Sequence, residues 1–176
     1  MLPHRVNSSI VLRMLQNQHA EELFEVTDRN RAHLRRWLPW LDETTEVAHS
    51  REFIANALKA FTESGVFICG IWNDDVLCGA IGYNYINWQT RTAYPGYWLA
   101  EDHQGRGIAT LCCQTMIHHA FQEYRLDRIT IHVATENYRS QAIPERLGFY
   151  KDGIHRNAEW LYHRFVDHTI YRLDRK

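Results

Sequence analysis

The sequence predicts a mixed α/β fold, one sheet with helices packed on it, and three observations carry that expectation. The apolar patterns run in the order strand, two or three helices, three strands, helix, strand, helix, two strands, which builds a layered α/β domain. The first two of the three middle strands are joined by the short turn Asn73-Asp74-Asp75, so they form a hairpin that opens an antiparallel meander. The 176 residues are 45% hydrophobic and 23% charged, which suits a single domain over residues 1–176 with a sizeable core.

Taken in order, the first strand is read at Ser8–Leu15, where Ile10, Leu12 and Met14 share a face. Residues 17–41 are helical in two pieces. Ala20, Leu23, Phe24 and Thr27 keep helical spacing, Leu34, Trp37 and Leu38 continue it, and Pro39 ends it. Thr44–Gly65 is the next helix, with Thr44 or Thr45 as N-cap and Gly65 as its stop. Val66–Trp72 and Val76–Trp88 pair as a hairpin, and Arg91–Ala100 is the third meander strand. Gly107–Tyr124 is a helix whose apolar stripe is Leu111, Met116, Ile117, Ala120 and Phe121. Arg128–Ala134 is a strand, and 137–148 a short helix capped by Asn137. Pro144 lies inside that helix. It has no N–H, so the carbonyl of Ser140 lacks its donor four residues on, and a local distortion is predicted. Residues 149–160 and 163–173 finish the chain as two strands.

Several function classes are disfavoured by composition. The formal net charge is −1, with both signs interspersed, so nothing favours direct binding of nucleic acid or an acidic membrane. The eleven His are scattered, with no pair at i, i+4 beside a carboxylate, and no metal site is predicted. Cys69, Cys78, Cys112 and Cys113 show no C-x-x-C spacing and read as reduced, partly buried thiols of a cytoplasmic protein. No basic-then-apolar leader opens the chain and no apolar run nears 18 residues, which predicts neither signal peptide nor membrane span.

The chemistry points to the segment EDHQGRGIATLCC at 101–113. Here a strand gives way to a helix through Gly105 and Gly107, and a helix start with glycines is an anion cradle. A P-loop needs Lys-Ser/Thr after its last glycine, and Gly107 is followed by Ile108. A dinucleotide fingerprint needs a third small residue where Thr110 stands, within a parallel unit, whereas this strand closes a meander. The stretch Gln104-x-x-Gly107-x-Ala109 resembles the Q/R-x-x-G-x-G/A signature of the GCN5-related N-acetyltransferases (GNATs). Together with GYWLAEDHQGRGI, NYRSQAIPERLGF and RRWLPWL, it resembles the ribosomal-protein N-acetyltransferase (RimL/RimJ-like) branch, over roughly residues 8–174.

That resemblance implies a mostly antiparallel mixed sheet with helices on both faces and a splay between the fourth and fifth strands. Acetyl-CoA would be the co-substrate, with no metal. Gly105, Arg106, Gly107, Ile108 and Ala109 would offer backbone N–H groups to its pyrophosphate, with side-chain contacts from Gln104 and Arg106, although Arg106 also reads as a solvated surface charge. Trp98, Leu99 and Ala100 would pair with the pantetheine arm as an added strand does, and Asn137 would contact it too. A backbone N–H near Leu99 would stabilise the developing oxyanion. Ser140 would be the catalytic proton donor to the leaving thiolate; the tyrosine that many relatives use four positions on is Pro144 here. The strand equivalent to 66–72 has no carboxylate, so the resemblance leaves the base unassigned, and Glu136 is the acid nearest in sequence. Trp37, Trp40, Tyr85 and Trp88, with Tyr83 and Tyr162, are candidate walls of an acceptor slot; Trp37 and Trp40 would otherwise serve a homodimer interface. The implied reaction is direct attack by an amine, in first place the N-terminal α-amine of a ribosomal protein. Two alternatives stand beside it: acetylation of a small-molecule amine such as an aminoacyl conjugate or antibiotic, and a non-catalytic acyl-CoA-binding module.

Overall fold

One eight-stranded sheet organises the molecule, whose computed structural model describes residues 4–176. In chain order the strands are β1 (His4–Arg5), β2 (Ile10–Met14), β3 (Ile68–Asn73), β4 (Val76–Asn87), β5 (Thr92–Leu99), β6 (Arg128–Ala134), β7 (Tyr150–Leu161) and β8 (Arg164–Asp174). They lie in the order β1-β2-β3-β4-β5-β6-β8-β7. Only β5 and β6 run parallel, and they pair at Thr92–Arg128 and Ala93–Ile129 alone. Beyond Ala93 the two strands separate, which is the expected splay; the short β1 at the edge shifts the strand count by one.

Helices cover both faces. Helices α1 (Ala20–Arg29), α2 (Arg31–Leu34) and α3 (Val47–Ser64) precede β3, α4 (Ile108–His118) follows β5, and α5 (Tyr138–Arg146) follows β6. On one face Leu23, Val26 and Ile54 of α1 and α3 bury against Trp72, Leu77 and Ala100. On the other, Ile108, Cys112, Cys113 and Met116 of α4 and Ile143 of α5 meet Ile129, Ile131 and Val133. Burial of this apolar surface at roughly 25 cal/mol per Å² holds the layers together. Among the described residues no helix is long and apolar enough to cross a membrane.

Several boundaries differ from expectation for local reasons. The second helix stops at Leu34, and Trp37 and Pro39 lie on turns on either side of Leu38. Those turns are held from across the molecule: the Tyr162 hydroxyl donates to the Leu38 carbonyl (2.6 Å) and accepts from the Leu41 N–H (3.3 Å). The N-cap of α3 is Glu46, not Thr44 or Thr45; the Thr45 N–H donates to His49 Nδ1 (3.2 Å). Gly65 closes α3 in the left-handed conformation (φ 74°), as expected. In α4 the buried stripe is Ile108, Cys112, Cys113 and Met116, continued by Ala120 in the π-helical turn His119–Glu123, while Leu111 is exposed. Met116, Ile117, Ala120 and Phe121 of the expected stripe pack on the core, and only Leu111 gives way, to two cysteines that behave as small core hydrophobes. Burial pushes the Cys69, Cys78 and Cys112 thiols up to about 12.

Candidate active site

The splay opens a cavity of about 1890 Å³ that runs through the sheet. Its first wall is the free edge of β5. Strand β4 pairs with β5 along its length, and the Ala100 N–H donates to the Cys78 carbonyl (2.7 Å), which extends that pairing one residue past the strand. Alternation in an antiparallel ladder then commits the backbone of Trp98 and Ala100 to β4 and turns that of Tyr97 and Leu99 into the splay. Tyr97 and Leu99 therefore supply the open strand groups. Of the three residues expected to pair with the arm, only Leu99 has its backbone free, its N–H directed into the splay. A bulge in β4 between Tyr83 and Tyr85 bends the strand beside the opening.

The second wall is the loop into α4. Gly105 (φ 74°) and Gly107 (φ 76°, the N-cap) hold left-handed backbone, and a Cβ on either would meet nothing within 4 Å. The loop is bare toward solvent and cavity, so a large anion can approach its backbone. The N–H groups of Ile108, Ala109 and Thr110 are the orphan donors of the helix start; the Leu111 N–H is the first to close onto Gly107 (3.0 Å). Gly105, Gly107, Ile108 and Ala109 line the cavity, whereas the Arg106 side chain is exposed outside its wall. Gln104 spans from α2 to α5: its Nε2 contacts His33 Nε2 (2.7 Å) and its Oε1 accepts from Arg139 (3.0 Å). Burial lowers the His33 pKa, opposed by Glu101 and aided by Arg36 and Arg139, so a neutral ring accepts the amide proton.

Across the splay, Asn137 caps α5 by accepting the Ser140 N–H (3.2 Å). Ser140 then faces the cavity one turn in, and Asn137 lines it as well. The carbonyl that Pro144 deprives of a helical donor is that of Ser140, and the Tyr97 hydroxyl donates to it (3.2 Å). Helix α5 continues through Pro144 to Arg146. Tyr97 and Trp98 both pack against core clusters, on opposite faces of the sheet. Pro144 signals in the sequence that the Ser140 carbonyl needs another donor, but nothing local names Tyr97, 43 residues away, as that donor.

The opposite face carries a different set. Ile131 and Val133 of β6 pack toward α4 and α5, so His132 between them points the other way. Its ring lies 5.8 Å from Tyr94 and 6.3 Å from His168, whose Nε2 is 3.6 Å from a Glu159 carboxylate oxygen. Enclosure by the cavity wall lowers the His132 pKa, with His168 and His155 adding to the effect. Trp40 approaches Trp98 (ring centroids 6.3 Å), and Trp37, Phe53 and Tyr85 complete an aromatic wall. Trp88 is not part of it: its indole N–H donates to the Ser64 carbonyl (2.9 Å) and its ring packs on Tyr124, away from the opening. Tyr83 is likewise removed, fully buried with its hydroxyl donating to Met116 (2.9 Å). Glu136 pairs with Arg164 (3.1 Å). The β6 alternation hints at His132, but the Glu159–His168 pair depends on β7 register irregularities that no sequence pattern announces. Among the described residues no three His, Cys, Asp or Glu cluster to hold a metal ion.

An open strand edge fits an amide-bearing arm, and the adjacent helix start fits a pyrophosphate. With a proton-bearing hydroxyl between them, these features define an acyl-coenzyme A-dependent acyltransferase. The acetyltransferase (GNAT) domain model matches residues 9–150. The Bacillus subtilis (strain 168) protein YdaF, named for ribosomal N-acetylation, is 32% identical over 174 residues, covering 98% of this chain and 95% of that protein. Crystal structures of RimL, a ribosomal L7/L12 α-N-protein acetyltransferase, with coenzyme A (25% identity, TM-score 0.93, covering 97% and 96%) and of the microcin C7 self-immunity acetyltransferase MccE with acetyl-CoA and AMP (27%, TM-score 0.92, covering 97% and 94%) share the fold. The chain belongs to the GNAT acetyltransferase family, in its ribosomal-protein N-acetyltransferase, RimL/RimJ-like, branch. It is an N-acetyltransferase whose co-substrate is acetyl-CoA.

Proposed function

We propose that this enzyme acetylates the N-terminal α-amine of a protein, with a ribosomal protein as the acceptor class. The observation that carries this reading is the division of chemistry across the splay: Ser140 on the α5 side, and the His132, His168 and Glu159 group on the aromatic side. In this account the α4 loop grips the pyrophosphate and the Leu99 N–H stabilises the oxyanion. Ser140 donates its proton to the departing sulfur. The Glu159–His168 pair, through water, takes the proton that the amine must lose. An α-amine, whose reference pKa of about 7.7–8.0 is well below that of lysine, needs a less strong base than a lysine side chain does. Similarity to RimL supports the acceptor class.

A second reading is a small aminoacyl conjugate with a flat base. Phe53 and Tyr85, 43% and 55% exposed, leave aromatic surface open in the same cavity as Trp37 and Trp40. The MccE complex, which holds AMP, lends it support. Titration calorimetry with acetyl-CoA, followed by free-thiol release with free-terminus peptides, lysine peptides and aminoacyl nucleotides, separates the readings. Turnover with α-amine peptides is expected. Turnover with small amines alone contradicts the protein acceptor, and binding without turnover on any amine makes the chain an acyl-CoA sensor.

A further inference from the structure

The contact between Tyr97 and Ser140 has a cause in the sequence. In a regular helix the Ser140 carbonyl would accept from residue 144, and Pro144 has no proton to give. The Tyr97 phenol takes that place, donating to the carbonyl at 3.2 Å. A phenol carries one proton. With that proton on the carbonyl, its oxygen turns lone pairs outward, and Ser140 Oγ stands 3.3 Å away as donor to it. Among the described residues Ser140 Oγ has no other hydrogen-bond partner. A serine hydroxyl is otherwise free to sample three staggered positions.

We propose that Tyr97 is a positioning residue for Ser140, fixing its hydroxyl at the splay through a bond pair that exists because Pro144 empties the Ser140 carbonyl. The backbone of Tyr97 faces the splay and its side chain packs into the α4–α5 core. One residue thus ties the strand edge that receives the pantetheine arm to the hydroxyl at the reactive end. Burial raises the phenol pKa, with Ser140 opposing, so the proton stays on the tyrosine. The two distances are nearly equal. As the Oγ–H turns to the leaving sulfur, the phenol O–H is within reach to turn from the carbonyl to Oγ and support the charge developing there, until the ammonium of the collapsing intermediate returns a proton to Ser140. No proton leaves Tyr97; only its hydrogen-bond partner changes.

The inference rests on Ser140 being the donor, and the experiment separates the two claims. The acceptor is a synthetic peptide with a free serine amino terminus, and the readouts are free-thiol release, calorimetric acetyl-CoA affinity and Tm. Tyr97→Phe is expected to lower kcat about tenfold, the scale of one lost hydrogen bond, with acetyl-CoA affinity within about twofold. It also orphans the Ser140 carbonyl and lowers Tm. Tyr97→Phe/Pro144→Ala returns a helical N–H to that carbonyl. Relative to Pro144→Ala alone, this double variant should recover Tm while kcat stays about tenfold down. In a Ser140→Ala background, Tyr97→Phe should change kcat less than about twofold, because coupled residues are non-additive. Recovery of kcat together with Tm would make Tyr97 a mere prop for the helix and overturn the proposal. An undiminished effect of Tyr97→Phe in the Ser140→Ala background would overturn it too. If Ser140→Ala alone leaves kcat unchanged, the donor reading fails first and the role of Tyr97 falls with it.

Discussion

Replacing Gly107 by valine tests the anion cradle without disturbing any packed side chain. Gly107 sits at φ 76°, ψ −1°, and a Cβ there meets nothing within 4 Å. The cost is therefore backbone strain, about 1–2 kcal/mol for an L-residue in the left-handed region. At roughly 2–4 °C per kcal/mol for a domain of this size, Tm should fall by about 2–8 °C and the fold should survive. The chain relieves the strain by rotating φ toward negative values, which swings the peptide entering α4 and moves the Ile108 and Ala109 N–H groups off their common target. Hydrogen bonds to a charged group contribute about 1.5–3 kcal/mol each. Losing two of them weakens acetyl-CoA binding by about 3–6 kcal/mol, enough to make the calorimetric signal vanish. Gly148→Val is the control. Its φ is 81°, its Cβ is equally unobstructed, and it lies beyond α5 rather than on the loop, so it should lose Tm and keep affinity. Native acetyl-CoA affinity in Gly107→Val would refute the reasoning.

Other consequences can be measured alongside. His119 packs edge-on to Phe67 and Tyr124 (5.0 and 4.4 Å), and burial, the leading cause, lowers its pKa from 6.5 to about 4. A lowered histidine pKa means the unfolded chain binds the proton first, so its contribution to stability is present above pH 6.5 and is lost as pH falls toward 4. His119→Gln should flatten the stability loss between pH 6.5 and 4 in urea titrations; an unchanged slope would contradict the assignment. Tyr162→Phe removes the two bonds that tether the turn at 38–41 to the far end of the chain. It should cost about 1–3 kcal/mol and raise the KM of the amine but not that of acetyl-CoA; equal effects on both KM values would argue against a role in the acceptor wall. Trp88→Phe should leave kcat/KM within about twofold while Trp40→Ala raises the acceptor KM; the reverse pattern would return Trp88 to the site.

The parts of the molecule legible in the sequence are those with a local cause. Gly65, Gly107 and Gly148 each hold positive φ at a helix end, a demand that only local backbone makes, and Asn137 caps the helix it precedes. Pro144, by its chemistry alone, announces an orphaned carbonyl four residues back. Its sequence neighbourhood does not say what satisfies that carbonyl, because Tyr97 lies 43 residues away and meets Ser140 only through the fold. The same holds for Glu159 and His168, brought together by a hairpin with two register irregularities. Trp37 and Trp88 look alike as aromatic residues near strand or helix ends. The Tyr162 tether holds the turn beside Trp37, on the cavity side, while Trp88 hydrogen-bonds to the end of α3. Leu111 and Cys112 exchange roles because a period of 3.6 leaves a one-residue ambiguity when cysteine is counted as polar.

The central claim is that one face of the splay delivers an α-amine to an acetyl group held from the other. Mass spectrometry of a peptide bearing both a free serine amino terminus and an internal lysine, after incubation with enzyme and acetyl-CoA, measures it most directly. A single acetyl group on the α-amine, absent with Ser140→Ala over the same interval, is the predicted result. Acetyl on the lysine side chain alone, or equal labelling by the Ser140→Ala variant, would contradict the account.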